Sequence, residues 1–340
     1  MNLNQDLPIS GLAMIEYEMA RQHKDAIESF HAAHALAAQI ATSIRTTGRL
    51  ALLGMGGSHW VNRAAMFAYR ELGIEVQAEV LSEVLLNPLP HQPRTVILTS
   101  QSGNSGEIAR YLETPKRSED RYGLTLNADS ALAKNLPSLI GAGGVEKAFA
   151  ATRSIFVSHA LHLAILAALG MDAKNALHQI ENPKTQDIKQ AHSILSNCDT
   201  LILSGRGSLQ GVAESGALCL MELARMTTYA LEGGQLRHGP MEMLNSQTAM
   251  IVLRQSGPTA ELATELVKDC TAAGAKIVIF DVSGLAPVID THTIAFEKLN
   301  GMAAVFAVLS TLQSLLVSLA NSRVANVGQP LRSSKVTTKL

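Results

Sequence analysis

Residues 95–105 read TVILTSQSGNS, an apolar run of strand type that ends at a turn rich in serine. Residues 249–259, AMIVLRQSGPT, repeat this order, with a buried-type strand that again ends in Gln-Ser-Gly. The serines of the two turns, Ser102 and Ser256, are 154 positions apart. One strand-and-turn unit therefore occurs in each half of the chain.

Two more pairs of segments follow the same order at a similar interval. LALLGMGGS at 50–58 pairs with LILSGRGS at 201–208, and the long apolar helix pattern at 154–170 pairs with the one at 301–320. Three pairs in one order indicate duplication of a single α/β unit.

Within each half, short apolar runs rich in β-formers alternate with amphipathic segments of helix length, which is typical of a parallel sheet covered by helices on both faces. The strand-type runs are 50–53, 75–80, 95–99 and 121–126, then 200–204, 249–253 and 275–280. Residues 9–47 predict a long leading helix. Proline and polar residues at 181–184, ENPK, place the expected boundary between an N-terminal domain, 1–182, and a C-terminal domain, 183–340.

The composition gives several classes of protein no support. A length of 340 residues favours two domains, and a net charge near −1 with 17% charged residues gives no support to nucleic-acid binding. Three cysteines without a CxxC pair argue against a disulfide framework or a zinc cluster and fit a reducing cytoplasm. The first ten residues do not resemble a signal peptide. We interpret 301–320 as a buried core helix rather than a membrane span, because five Ser, Thr and Gln residues interrupt it.

The serine-rich turn, residues 100–105, lies where a ligand is expected in an open parallel sheet. It follows the strand pattern VILT and precedes the helix pattern EIARYLE. Ligands bind beyond the carboxyl ends of such strands, where a helix N-terminus offers free N–H groups and a positive dipole. Hydroxyls and an amide at this place predict an uncharged phosphate cradle, although an ordinary helix N-cap uses the same residue types.

A glycine-rich turn at 54–58, GMGGS, also follows a strand and opens a helix pattern, which allows a ligand to approach the backbone closely. It lacks the third glycine of the GxGxxG fingerprint, since His59 or Trp60 stands there, and this disfavours a nucleotide-dependent dehydrogenase. Together with the serine-rich turn one strand away, it predicts a phosphate pocket at adjacent strand ends.

A carboxylate and a histidine provide candidates for acid–base chemistry. Glu222 lies in the apolar helix pattern ALCLMELARM, and His238 precedes Gly239-Pro240 in a loop. These are the groups needed for general acid–base catalysis near neutral pH. Each residue taken singly also has a purely structural explanation. Glu222 would then be a solvated or ion-paired helix residue, and His238 a turn residue.

Together these segments resemble the sugar isomerase (SIS) family over nearly the whole chain. The likeness is to the isomerase domain of glucosamine-6-phosphate synthase and its stand-alone relatives, the fructosamine-6-phosphate deglycases and glucosamine-6-phosphate deaminases. The family's Ser-Gln-Ser-Gly-x-Thr/Ser loop is matched at 100–105, and its Gly-x-Ser turn at 56–58. Its Glu-Leu-Lys-His-Gly-Pro loop is resembled by 235–240, and its catalytic glutamate, sixteen residues earlier, falls on Glu222. Its Gln-Pro…Lys tail is matched by Gln329, Pro330 and Lys335, a segment that alone reads as a mobile basic end.

The resemblance implies two tandem SIS lobes, each a flavodoxin-like parallel sheet flanked by helices. It implies a homodimer that binds a phosphosugar and needs neither metal nor cofactor. Glu222 would move a proton between C1 and C2 of the opened sugar, His238 from a partner subunit would assist ring opening, and Lys335 would polarise the carbonyl or form an imine. The phosphate would be bound by Ser58, Ser100, Gln101, Ser102 and Ser105. Further substrate contacts would come from Gly56, Gly57 and Thr152, the last in the stretch 146–153, EKAFAATR, which closes over the sugar.

Two departures from the family bear on the reaction. The chain has no counterpart of the synthase's glutaminase domain, so glutamine-dependent synthesis is not expected. The synthase also has a lysine three residues before the catalytic glutamate, where this chain has Cys219. This difference favours relatives that split amines from ketosamine phosphates.

The sequence thus predicts an enzyme of amino-sugar or ketosamine 6-phosphates and leaves isomerase, deaminase and deglycase unranked. A non-catalytic phosphosugar sensor is the alternative. The sequence shows no basic helix-turn-helix pattern, and retention of Glu222, His238 and Lys335 favours catalysis.

Overall fold

The computed structural model describes residues 11–338, in which ten parallel strands form two separate sheets of five. The first sheet has the order β2-β1-β3-β4-β5 and the second the order β10-β9-β8-β6-β7. Renumbered from its own first strand, the second sheet has the same order as the first, which is the flavodoxin-like 2-1-3-4-5 arrangement. The strands are β1 (Arg49–Gly54), β2 (Glu75–Val80), β3 (Arg94–Thr99), β4 (Glu119–Thr125), β5 (Ser138–Ile140), β6 (Thr200–Ser204), β7 (Thr227–Ala230), β8 (Thr248–Gln255), β9 (Lys276–Val282) and β10 (His292–Ala295).

Helices cover both faces of each sheet. The α-helices are α1 (Gly11–Ala32), α2 (His34–Thr47), α3 (Gly56–Glu71), α4 (Leu81–Leu86), α5 (Gly106–Leu112), α6 (Ala131–Asn135), α7 (Arg153–Leu169), α8 (Lys174–Glu181), α9 (Lys189–Leu195), α10 (Ser208–Leu223), α11 (Gly233–Arg237), α12 (Ala260–Ala272) and α13 (Gly301–Arg323); a short 3₁₀ helix spans Pro240–Met243. The expected α/β class with two parallel sheets flanked by helices is confirmed.

One large apolar core is shared by the inner faces of the two sheets. Leu50 and Leu52 of β1 and Leu201 and Leu203 of β6 all belong to it. Successive side chains of a strand point to opposite faces of the sheet. Ala51 and Leu53 of β1 and Ile202 of β6 therefore lie on the outer faces, in two smaller apolar clusters. The two halves therefore pack together through the helices between the sheets.

The long apolar helix α13 lies inside this core. Its length and composition would allow a membrane span, but 78% of its most apolar window is buried within the protein. The interpretation of this segment as a core helix is confirmed.

The strands predicted from apolar runs are all present, and three further strands, β5, β7 and β10, were not predicted. The leading helix is divided at Ala33 into α1 and α2, and residues 9 and 10 of the predicted helix lie outside the described residues. The expected boundary at 182/183 falls between α8 and α9.

The antiparallel packing of α3 against α10 matters most for the site. A β-carbon on Gly211 would lie 2.7 Å from the carbonyl oxygen of Trp60, so only glycine allows this close approach. Two turns later on α10, Leu218 lies opposite Gly56 at the start of α3. The C-terminal end of α10, in the second half of the chain, thus meets the N-terminal end of α3, in the first half.

Candidate active site

A cavity of about 350 Å³ opens at the carboxyl ends of β1 and β3, the point where the strand order of the first sheet reverses. This is the place where ligands bind in open α/β sheets, and the volume lies in the range of small-molecule sites. Several parts of the chain meet there. They include the turns after β1 and β3, the start of α7, the end of α10 and residues 333–337 of the C-terminal tail.

The turn after β1 brings backbone to the cavity wall. Gly56 has φ of +49°, a left-handed conformation that favours glycine, and it lines the cavity together with Gly57 and Ser58. A side chain at Gly57 would come within 2.9 Å of Ile155 on α7. The two glycines therefore permit both the turn and its contact with the neighbouring helix.

The turn after β3 contributes hydroxyl groups. Ser100 Oγ accepts a hydrogen bond from Gly103 N at 3.1 Å, and Ser102 Oγ accepts one from Asn104 N at 3.3 Å. Ser105 is the N-cap of α5, where its Oγ accepts from Ile108 N at 3.4 Å. Each hydroxyl accepts a backbone hydrogen bond and keeps its own O–H to donate to a ligand. Ser100, Gln101, Ser102 and Ser105 all line the cavity, beside the N-terminus of α5.

Glu222 reaches this cavity from the second half of the chain, because α10 runs antiparallel to α3. The side chain is partly buried. Burial raises the pKa of Glu222 to about 7; the Glu146 carboxylate also raises it, and the Lys335 ammonium opposes both effects. A carboxyl group with this pKa exchanges protons readily near neutral pH.

The C-terminal tail crosses the cavity and carries Lys335 into it. Thr337 O accepts a hydrogen bond from Gly106 N at 3.1 Å, which ties the tail to the start of α5. Lys335 Nζ lies 2.9 Å from Glu146 Oε2. The described part of the tail therefore forms one wall of the site.

Glu146 is a buried anion that the sequence did not single out. Its carboxylate accepts hydrogen bonds from Thr152 N (2.9 Å), Thr152 Oγ1 (3.2 Å), Ser154 N (3.2 Å) and Ser154 Oγ (2.5 Å). Burial alone would raise the pKa of Glu146, but the Lys335 charge and these hydrogen bonds outweigh it and hold the pKa below its ordinary value. Glu146 is thus a carboxylate that stays ionised beside Glu222.

Thr152 does not reach the cavity, although the resemblance places it among the substrate contacts. Its amide and hydroxyl are bonded to Glu146, and its carbonyl accepts from Gln313 Nε2 at 3.0 Å. The residue is fully buried, so in this chain it supports Glu146 behind the wall. Ser154 and Ser158 of α7 line the cavity instead.

Cys219 lies one turn before Glu222 on the same helix and is buried. Burial raises the pKa of the Cys219 thiol to about 12, with Glu222 and Glu146 adding to the effect. The position at which the synthase has a lysine is therefore an uncharged thiol here.

His238 is not brought into the cavity of its own chain. It follows the single turn of α11, and its side chain is exposed. The other two expected catalytic residues, Glu222 and Lys335, line one cavity with all five expected phosphate ligands.

At the equivalent place in the second sheet, the polar groups bond other groups of the protein. Ser256 Oγ donates to Leu299 O at 2.8 Å, and Gln255 bonds both Arg206 O and Gly301 N at 3.2 Å. The connection before the following long helix is also shorter, with five residues between β10 and α13 against twelve between β5 and α7. The duplication thus leaves an open cavity at the first sheet, and the matching groups of the second sheet bond one another.

Comparison with known proteins agrees with this geometry. Residues 194–321 match the SIS domain model. The chain is 28% identical over 318 residues to a glutamine–fructose-6-phosphate aminotransferase (isomerizing) of Rhizobium meliloti, which covers 87% of this chain and 51% of the relative. The chain thus spans about half the length of the curated relatives it matches.

Two solved structures share the fold. The C-terminal domain of glucosamine-fructose-6-phosphate aminotransferase from Francisella tularensis superposes with a TM-score of 0.81 at 17% identity, covering 93% of this chain and 98% of that one. Tagatose-6-phosphate ketose/aldose isomerase from Escherichia coli superposes with a TM-score of 0.77 at 18% identity, covering 94% and 97%. Residues 194–321 thus match an SIS domain, most of the chain is similar to glutamine–fructose-6-phosphate aminotransferases, and the chain has the fold of these two solved structures.

Proposed function

We propose that this chain is a sugar-phosphate enzyme that opens the ring of an amino-sugar or ketosamine 6-phosphate and transfers a proton between C1 and C2. The product is an isomerised sugar or a released amine. The observation that carries the proposal is Glu222, a carboxyl group with a pKa of about 7 in the cavity that also contains the serine-rich turn and Lys335.

The two ends of the cavity suit the two ends of such a substrate. Ser58, Ser100, Gln101, Ser102 and Ser105 would donate hydrogen bonds to the phosphate, helped by the dipole of the α5 N-terminus. Glu222 and Lys335 would face the sugar carbons. A carboxylate that shuttles a proton and a cation that stabilises the enediol oxygen suffice for this chemistry.

Charge at the sugar end favours a substrate with an amino group. Glu146 and Glu222 provide two carboxylates, and Lys335 is bonded to Glu146. Cys219 adds no charge because burial raises the pKa of its thiol to about 12. An ammonium on the substrate would therefore be complementary to Glu222 once that carboxyl group ionises.

His238 would open the sugar ring from a neighbouring subunit, since it lies outside its own cavity. The active form would then be at least a symmetric dimer, in which each cavity receives one loop from the partner. A soluble cytoplasmic enzyme with cysteines kept reduced is the setting that we propose.

A panel of 6-phosphosugars tests the function. Glucosamine 6-phosphate, galactosamine 6-phosphate, fructose 6-phosphate and 6-phosphorylated fructose–amino-acid adducts are each incubated with the chain, and ammonia, free amine and ketose are measured separately. We expect turnover of at least one amino-substituted compound and its loss in Glu222→Gln. Binding of these compounds without any turnover or proton exchange would contradict an enzyme and leave a phosphosugar sensor.

A further inference from the structure

The turn after β6 carries an arginine where its counterpart after β1 has methionine. Gly54-Met55-Gly56 and Gly205-Arg206-Gly207 are equivalent in the duplication, and Gly56 and Gly207 share a left-handed conformation, with φ of +49° and +57°. Met55 lines the open cavity of the first sheet. Arg206 instead forms an ion pair with Glu232, Nη1 to Oε1 at 2.7 Å.

Glu232 uses its second oxygen to begin the turn that carries His238. Its Oε2 accepts from Gly234 N at 2.8 Å and from Gln235 N at 3.0 Å, which caps α11. His238 N in turn donates to Gln235 O at 3.1 Å. Three successive contacts therefore connect the guanidinium of Arg206 to the backbone of His238.

The two glycines of this segment lie close to the same ion pair. A β-carbon on Gly233 would lie 3.0 Å from Leu266 Cδ2 and 3.3 Å from Arg206 Nε, and one on Gly234 would lie 2.9 Å from Glu232 Oε2. The guanidinium and carboxylate thus pack directly against the backbone of α11, where a side chain would displace them.

Arg206 is itself held on the second sheet. Its carbonyl accepts from Gln255 Nε2 at 3.2 Å, and Gln255 Oε1 accepts from the N-terminal N–H of α13 at Gly301. The other ion pair of the turn, Arg237 with Asp269, has both side chains more than a third exposed, and such pairs contribute little. The Arg206–Glu232 pair, with side chains 22% and 34% exposed, is the less exposed of these two ion pairs.

We infer that Arg206 is a positioning residue for His238. The turn after β6 occupies the place of a ligand turn and instead fixes, through Glu232, the loop that presents the ring-opening histidine. The inference rests on the role proposed above for His238. Because a misplacement of about 1 Å can cost about 10²-fold in rate, loss of this anchor should slow ring opening without changing phosphate binding.

Ring opening can be measured separately from C1–C2 proton transfer. Exchange between the α and β anomers of glucosamine 6-phosphate requires only opening and closure of the ring, and two-dimensional NMR exchange spectra give its rate. We expect the native chain and Glu222→Gln to accelerate this exchange and His238→Ala to lose the acceleration. Arg206→Met should reduce it by about 10- to 100-fold, and Arg206→Lys by less.

Phosphosugar affinity distinguishes positioning from general damage. Arg206→Met should bind glucosamine 6-phosphate as tightly as the native chain, because Arg206 lies outside the cavity, whereas general damage to the fold would weaken binding. Glu232→Gln keeps a capping oxygen but loses the charge, so it should slow anomer exchange as Arg206→Met does. It replaces Arg206→Met as the test variant if that variant folds poorly. Arg49→Met, which breaks the exposed Arg49–Glu75 pair, is the matched control and should exchange at the native rate.

Two different results would overturn two different statements. Native anomer exchange in both Arg206→Met and Glu232→Gln, with His238→Ala impaired, would overturn the positioning role and leave the proposed function intact. Anomer exchange at the native rate in His238→Ala would show that His238 does not open the ring, and this inference would fail with that role. The proposed enzymatic activity is tested separately, by the turnover of Glu222→Gln in the substrate panel.

Discussion

The ammonium of Lys335 lies 2.9 Å from the carboxylate of Glu146, and the side chain of Glu146 is fully buried. The contact joins residues 189 positions apart and holds the C-terminal tail over the cavity. Thr152 and Ser154 supply four further hydrogen bonds to Glu146. The buried Glu146 carboxylate is thus both ion-paired and hydrogen-bonded, as a buried charge requires.

This pair should control the titration of Glu222. Lys335 lowers the pKa of Glu222 and Glu146 raises it, so the two neighbours act in opposite directions. We expect Lys335→Met to move the Glu222 pKa above its value of about 7 and Glu146→Gln to move it below. Carboxyl ¹³C NMR titrations, with the Glu222 signal assigned by its absence in Glu222→Gln, give the values directly. Shifts of the same sign in the two variants would contradict this electrostatic picture.

The duplication provides a matched control for phosphate binding. Ser102 lines the cavity, whereas the equivalent Ser256 donates its hydroxyl to Leu299 O. A charge-assisted hydrogen bond contributes about 1.5–3 kcal/mol. Ser102→Ala should therefore weaken binding of glucosamine 6-phosphate about tenfold in calorimetric titrations, and Ser256→Ala should not. Equal affinities for the two variants would remove the serine-rich turn from the phosphate site.

The sequence predicted the sheets well where strands are long and apolar, and less well at their margins. β5, β7 and β10 have three or four residues, include Ser, Thr or His, and each pairs with a single neighbouring strand. Edge strands need no continuous apolar run, because only part of their surface is covered. Their positions depend on the rest of the sheet, which a local pattern does not describe.

The candidate site shows the same limit. Motif spacing predicted that the glycine-rich and serine-rich turns would meet, since adjacent parallel strands end at one edge. Glu146 lies in a segment that the sequence marked as closing over the sugar, but its burial and its contact with Lys335 depend on tertiary packing over 189 positions. The antiparallel crossing that brings Glu222 to the first sheet likewise depends on tertiary packing of α10 on α3, which includes the close approach of Gly211 to Trp60 and Ala64.

If His238 acts in a partner's cavity, inactive chains should complement one another. A mixture of Glu222→Gln and His238→Ala chains forms hybrid dimers in which one cavity has both native residues. With equal amounts and free exchange of subunits, half the dimers are hybrid and one of their two sites is intact, so about a quarter of native activity is expected.

The control for this mixture uses two residues of one cavity. Glu222 and Lys335 line the cavity of the same chain, so a mixture of Glu222→Gln and Lys335→Met contains no intact site and should stay inactive. Subunit exchange is verified by native mass spectrometry of differently tagged chains. An inactive first mixture with proven exchange would place His238 and Glu222 in one chain's site.

The last prediction concerns Glu222 as the proton shuttle. Glutamine keeps the size and hydrogen bonding of the side chain but removes the base. General acid–base steps are typically worth about 10²–10⁴-fold, so turnover of Glu222→Gln should fall by about that factor while phosphosugar affinity stays within a few fold. In deuterated water, the native chain should introduce deuterium at C1 or C2 of the recovered sugar, and the variant should not.

The free energy of unfolding of Glu222→Gln distinguishes a loss of catalysis from misfolding of the variant. The folded chain raises the Glu222 pKa from an ordinary 4.5 to about 7, so between these values the folded state binds more protons than the unfolded state. The contribution of Glu222 to the free energy of unfolding therefore falls as pH rises through this window. Glu222→Gln should match the native chain near pH 4 and exceed it at pH 8 in urea unfolding. A variant that is stable at pH 8 yet retains near-native turnover and deuterium incorporation would show that another group moves the proton.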